Sequence, residues 1–250
     1  MRRVLISPRD IRDGSIVISS PNELHHLRDV LRVQVGESLE CFDGQGQTFT
    51  GRVIRLNRRS ATVQIIDRSE QAQGRTIGLA VALIKPERFD WLIQKATELG
   101  VERIHPLVTH RTITRPSAEQ GERRRERWQR IAEEAAKQCG RATVPILNPP
   151  TPFETFLAGA KPPTTLLIPT RSAHAVSLDD AVKAIGSEQS VTILIGPEGD
   201  FTPEEVALAQ THGARPVFLG PLTLRSETAA IAALAILQHR LNPAWVRASI

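Results

Sequence analysis

The sequence predicts an α/β protein in two parts: a small β-rich domain over residues 1–72 and a larger domain over 73–250 built on a largely parallel sheet. Three observations carry this. Residues 15–67 hold four short runs of roughly alternating apolar and polar residues, separated by Gly, Asn and Asp. From residue 76 the apolar runs become continuous, as in strands buried on both faces. Those later runs alternate with segments of helical period, the pattern of a parallel α/β sheet.

In the first part, SIVISS, ESLECFDG, QTFTGRVIRL and SATVQIID read as strands of a small barrel or sandwich, with DGQGQ at 43–47 as a hairpin signal. PNELHHLRDVLR, from residue 21, spaces Leu24, Leu27, Val30 and Leu31 as one helical face. The polar stretch RSEQAQGR at 68–75 reads as a linker. In the second part TIGLAVALI, from residue 76, is a buried strand. PERFDWLIQKATELG follows as a helix, with Pro86 in its first turn, a stripe of Phe89, Leu92, Ile93 and Ala96, and Gly100 at its end. RIHPLV, TTLLIP, VTILIG and PVFLG read as further strands. ERRRERWQRIAEEAAKQCG and the stretches 177–185, 203–212 and 226–240 read as helices.

Composition narrows the function classes. The chain has 250 residues, enough for a sizeable core, with 40% hydrophobic and 24% charged residues. No run of about twenty apolar residues exists, so no transmembrane helix is expected. The N-terminal MRRVLISPRD lacks the apolar core of an export signal. A cytoplasmic protein with Cys41 and Cys139 as reduced thiols is therefore expected. No Cys/His spacing suits a metal. The net charge of +5 points to an anionic partner, and only five of the 32 cations are lysine. Arginine's planar fork suits phosphates and base edges. GC-rich coding accounts for the same bias equally well.

Ligands of open α/β sheets bind beyond the carboxyl ends of the strands. Three strand ends here carry unusual loops: Ile168-Pro169-Thr170, Ile195-Gly196-Pro197-Glu198-Gly199, and the stretch from Leu219 to Thr228. In the second, Gly196 and Gly199 permit close backbone approach to a ligand or a positive φ. Thr202-Pro203-Glu204-Glu205 then matches a capping box, so a firmly specified helix follows. An ordinary strand-to-helix turn fits this loop too. It is neither a phosphate loop, lacking the lysine, nor a GxGxxG fingerprint. In the third loop Leu222 and Leu224 are apolar where polarity is the norm, which suits an adenine ring bonded by the main chain. Arg225-Ser226-Glu227-Thr228 opens a helix that is apolar nearly all round, with Ser226 expected at the N-cap. Taken singly, Arg225 could be a surface cation and Glu227 an acid favoured by the helix dipole.

HHLRDVLR, VGESLECFDGQGQTFTG, KPERFDWLIQKATELGV, KQCGRATVPIL, LIGPEGDFTPEE and LGPLTLRSETAAIAAL together resemble the ribosomal small subunit RNA methyltransferase E family. These are bacterial enzymes of the knotted SPOUT class that methylate N3 of one uridine in 16S rRNA. The resemblance runs from residue 25 to about 235; the family pattern has Ser at Cys139, Thr at Ser226 and Gly at Asp200. It implies a C-terminal SPOUT-type α/β domain with a deep trefoil knot, a PUA-like N-terminal β-barrel that binds RNA, and a homodimer. It implies an S-adenosylmethionine site with Ile195, Gly196, Pro197, Glu198 and Gly199 on one wall and Leu219, Gly220, Leu222, Leu224 and Ser226 on the other. Ile168 and Pro169 lie beneath.

Given that chemistry, Arg225 is the candidate to stabilise the uracil anion, and Glu198 or Glu227 the candidate to take its proton. Arg28, Arg32, Arg111 and Arg115 are candidates for holding rRNA; the Arg123–Arg125 run reads equally as a solvated helix face. The cofactor motifs leave open a SPOUT-class enzyme acting on another RNA, or a non-catalytic RNA-binding or ribosome assembly factor.

Overall fold

A computed structural model describes residues 2–71, 74–160, 164–172, 174–186 and 190–242. It divides into two compact units, one of residues 1–73 and 133–144, the other of residues 74–132 and 145–250.

The first unit holds β1 (Arg3–Leu5), β2 (Ile11–Arg12), β3 (Ser15–Ile18), α1 (Pro21–His25), β4 (Ser38–Phe42), β5 (Gln47–Leu56) and β6 (Ala61–Glu70). The sheet order is β1-β4-β5-β6-β3-β2, antiparallel except for the β1–β4 pair. Among the described residues this is an open path, where the alternating strands predicted a barrel or sandwich. Alternation does what it should: Ile16 and Ile18 of β3 and Val53 of β5 point inward to a core with Val4, Leu39, Phe49 and Val63. The 43–47 hairpin is real. Asp43 Oδ1 accepts from the Gln45 and Gln47 amides at 2.7 and 3.0 Å, and Gly44 and Gly46 take positive φ.

Two expectations fail here. The stretch 68–75 is not all linker, because β6 continues to Glu70, which pairs with Gln47; residues 72 and 73 lie outside the described residues. The helix from Pro21 is regular only to His25 and then widens into a π turn over His26–Val30. The wider turn still buries Leu24 and Leu27 but leaves Val30 59% exposed, and the segment ends with Arg32 at φ +50°.

The second unit holds β7 (Ile77–Ala82), α2 (Pro86–Glu98), β8 (Arg103–Val108), α3 (Ala118–Cys139), β9 (Ile146–Leu147), β10 (Thr151–Pro152), α4 (Phe153–Gly159), β11 (Thr164–Pro169), β12 (Val176–Ser177), α5 (Leu178–Lys183), β13 (Ser190–Ile195), α6 (Pro203–Thr211), β14 (Arg215–Phe218) and α7 (Ser226–Leu241). From residue 133 onward α3 counts with the first unit. The sheet order is β10-β8-β7-β13-β11-β14-β12, with β9 also on β8, and every pair is parallel. Every residue of β7 is buried, as its unbroken apolar run requires. Helix α2 buries its predicted stripe and sets Phe89 4.6 Å from the Trp128 ring. Helix α7 packs on α2, α5, β7 and β13. Among the described residues no helix is long and apolar enough to cross a membrane. Cys41 and Cys139 are both free.

Candidate functional site

Because the sheet is parallel, the carboxyl ends of its strands share one edge. Strands β7, β13, β11 and β14 are consecutive neighbours there, with Val81 beside Ile195, Leu167 beside Ile193 and Val217 beside Pro169. The three candidate loops therefore leave the sheet side by side. Topology brings them together although up to fifty residues separate them in sequence.

The bend after β13 is tight. Ile195 and Pro197 are buried, Gly196 is partly so, and Glu198 and Gly199 are exposed. A Cβ on Gly196 would lie 2.9 Å from the Phe201 nitrogen, so close backbone packing, not positive φ, demands this glycine. The positive φ falls on Asp200, at +63°, whose carboxylate accepts from the Phe201 amide at 2.8 Å. Phe201 then enters the core 5.0 Å from the Phe153 ring. The capping box forms in full: Thr202 Oγ1 accepts from the Glu205 amide at 3.2 Å, and Glu205 Oε2 accepts from the Thr202 amide at 2.9 Å. The other oxygen of Glu205 accepts from the His110 amide at 2.7 Å, which docks the loop after β8.

The bend after β14 is open. Leu219, Gly220 and Leu224 are partly exposed, Leu222 is 75% exposed, and Gly220 sits at φ +141°. Arg171 braces it, donating to Thr223 Oγ1 at 2.6 Å and to the Pro221 carbonyl at 3.4 Å. Ser226 is not the N-cap. The chain stays extended through Arg225, at φ −67° and ψ 154°, so Arg225 takes that place without a side-chain cap bond and Ser226 becomes the buried first helical residue. Beneath both bends Ile168 is buried and Pro169 partly exposed, with the Thr170 amide bonded to the Val217 carbonyl at 2.9 Å.

One residue outside the predicted set joins the bends. Arg88, in the first turn of α2, has Nη1 3.9 Å from Glu198 Oε1 and 3.8 Å from Glu227 Oε1. A single guanidinium thus touches the candidate carboxylate of each bend. Glu227 is well shielded, with its side chain 12% exposed, and its Oε2 is buried without a hydrogen-bond partner. Among the described residues no group of three or more His, Cys, Asp or Glu could hold a metal ion.

Comparison with known proteins identifies the family. Residues 71–238 match the RNA methyltransferase domain family, and residues 20–66 match the RNA methyltransferase PUA domain. A Synechocystis protein named ribosomal RNA small subunit methyltransferase E is 34% identical over 236 residues, covering 93% of this chain and 76% of its own length. The chain belongs to the ribosomal RNA small subunit methyltransferase E family. A solved methyltransferase E from Neisseria gonorrhoeae, bound to S-adenosyl methionine, is 29% identical with a TM-score of 0.84, covering 96% of this chain and 97% of that one. A methyltransferase from Legionella pneumophila, in complex with the bound cofactor SAM, is 34% identical with a TM-score of 0.82, covering 95% and 96%.

In this member of the methyltransferase E family the predicted arginines fall in different places. Arg28 and Arg32 lie in the first unit, Arg28 within the π turn and Arg32 just beyond it. Arg111 and Arg115 lie in the second. Arg111 donates to the Gly199 carbonyl and so braces the first bend, and Arg115 donates to the His110 carbonyl at 3.3 Å. Arg88 carries a signal that the sequence offers. It is a cation in a helical first turn, where the dipole favours acids. Such a placement calls for nearby carboxylates to offset it.

Proposed function

We propose that this chain transfers a methyl group from S-adenosylmethionine to N3 of one uridine in the 16S rRNA of the small ribosomal subunit. The observation that carries the reading is the contact of Arg88 with both Glu198 and Glu227, which ties a residue of each loop to one guanidinium at the edge where parallel α/β sheets take ligands. The relatives named methyltransferase E, and the neighbours solved with this cofactor, supply the chemistry that would fill it.

The residues fit the cofactor. Leu222 offers an exposed apolar surface, and Gly220, at positive φ, opens the backbone beside it. Ile195 to Gly199 would form one wall, Leu219, Gly220, Leu222, Leu224 and Ser226 the other, and Ile168 and Pro169 the floor. The bound cofactor supplies an electrophilic methyl carbon on a sulfonium. The chain's part is to place N3 and remove its proton, since uracil N3 is mostly protonated near neutral pH. Arg225, exposed at the start of α7, would stabilise the uracil anion through O2 or O4. Glu198 or Glu227 would take the proton.

The larger architecture belongs to the same reading. The return of α7 from β14 to α2, β7 and β13 supports a SPOUT-type domain with a deep trefoil knot. Exposed Val176, Phe218 and Ile236 on and beside α5, β14 and α7 support a homodimer. The PUA-like domain at 1–72, with Arg28 and Arg32, would bind rRNA in the cytoplasm. Arg111 and Arg115 would meet phosphates beside the crevice. Labelled S-adenosylmethionine incubated with the protein and small ribosomal subunits, followed by mapping of the modified nucleotide, tests the whole. Label at a single uridine N3 is expected; label elsewhere, or none, would sink it.

A further inference from the structure

We propose that Arg88 is a positioning residue for the proton acceptor, and that the acceptor is Glu227 through Oε2. This rests on the methyl-transfer reading above and deepens it.

Glu227 Oε1 faces Arg88 at 3.8 Å, while Oε2 is buried and has no partner. A buried carboxylate oxygen left unpaired is costly, so turning the carboxylate to meet a donor that arrives with a ligand relieves that cost. The N3–H of uracil is such a donor. When the proton moves, the N–H bond breaks with its electron pair left on N3, and an O–H bond forms at Oε2. Glu198 is the poorer candidate, because its side chain is 41% exposed and solvated.

Arg88 is what holds Glu227 in place. The guanidinium, with its side chain 34% exposed, stands within 4 Å of both the Glu198 and the Glu227 carboxylates and so ties the two bends together. Arg88 from α2 faces Glu227 and also Glu198 of the bend after β13, and Arg225 stands two residues before Glu227 on its own chain. Arg88, Glu198 and Glu227 together carry one negative charge, which uptake of the N3 proton neutralises. At 3.8 and 3.9 Å the contacts are ionic and not hydrogen bonds, so Arg88 sets charge and place without occupying Oε2.

The test is single-turnover methyl transfer to small ribosomal subunits, with cofactor affinity measured separately, for wild type, Arg88→Gln, Arg88→Lys, Glu227→Gln and the double variant Arg88→Gln/Glu227→Gln. Glu227→Gln should slow transfer by about 100-fold or more. Arg88→Gln should slow it about tenfold or more. Arg88→Lys should regain most of the rate, and the double variant should be no slower than Glu227→Gln. Cofactor affinity should stay near wild type. An Arg88→Gln rate near wild type, a loss that Arg88→Lys does not recover, or a loss confined to cofactor affinity, would overturn the proposal. If Arg88→Gln fails to fold, Glu227→Gln decides, since near-normal transfer by that variant overturns the idea. A wild-type protein that methylates no RNA would sink the parent reading instead.

Discussion

The bend after β13 turns sharply and packs on its own chain, with Arg111 bracing it from outside, whereas the bend after β14 is longer and is braced by Arg171. In the first, Pro197 is buried, its carbonyl accepts from the Asp200 amide at 2.9 Å, Phe201 plugs the core, and the capping box fixes the helix that follows. In the second, Pro221, Leu222 and Thr223 are exposed, and Arg171 is the side chain that grips the loop. The helix that follows has no side-chain cap. Both bends leave strands that flank β11 in one sheet, so the contrast lies in local chemistry and not in topology. A rigid wall can orient a ligand, and an adaptable apolar wall can cover it. Leu222 is exposed at some cost in water, and covering it on binding returns that cost.

Arg225→Ala is the sharpest way to separate the walls' binding role from chemistry. Arg225 is exposed and makes no cap bond, so thermal unfolding should barely change. Turnover should fall by about 100-fold or more, near 3 kcal/mol, with cofactor affinity little altered. Near-normal methylation by this variant would remove Arg225 from the reaction. Gly196→Ala attacks the rigid wall. The added carbon would meet the Phe201 nitrogen at 2.9 Å and the Asp200 carbonyl carbon at 3.1 Å, both backbone atoms that cannot swing aside. A stability loss of about 1–3 kcal/mol is expected in denaturant titration, together with weakened cofactor binding. An unchanged midpoint would show that this bend is looser than its contacts imply.

Two substitutions of similar size should separate in what they move. Thr202→Ala removes one arm of the capping box and should lower stability by about 1 kcal/mol. Leu222→Ser should leave stability within about 0.5 kcal/mol, because the side chain is already largely in water. It should weaken S-adenosylmethionine binding by about 1 kcal/mol, read by calorimetry, if Leu222 covers the ligand. The reverse pattern, with Leu222→Ser lowering the melting temperature and sparing affinity, would cancel the distinction between the walls.

How legible these features are in the sequence follows from how local they are. The capping box spans Thr202 to Glu205, and its partners are set by one helical turn, so it reads directly. The strand Ile77–Ala82 and the stripe of α2 read directly too, because burial on both faces or on one imposes a pattern on neighbouring residues. The two-residue strands β9, β10 and β12 are too short to show any period. The π turn at His26–Val30 keeps an ordinary helical sequence and differs only in its bonding. At Ser226 tertiary placement overrides the capping preference, since the residue is buried as the helix begins. Arg88 is hardest. Its partners lie more than a hundred residues away, and only the anomaly of a cation in a first helical turn marks it.

Asp200 offers the smallest effect and the finest test of the rigid wall. At φ +63° an L-residue costs about 1 kcal/mol or more, which Gly would avoid. Against that, the Asp200 carboxylate accepts from the Phe201 amide at 2.8 Å, a bond worth about 1 kcal/mol in place, and Gly adds freedom to the unfolded chain. The two sides nearly cancel. Asp200→Gly should therefore shift stability by less than about 0.5 kcal/mol, or roughly 2 °C in melting temperature. A clear gain would mean that the left-handed backbone is strained and the carboxylate bond a partial remedy. A loss beyond about 1 kcal/mol would mean that the carboxylate holds Phe201 in the core, so that the first wall owes its rigidity to a side chain and not to its backbone.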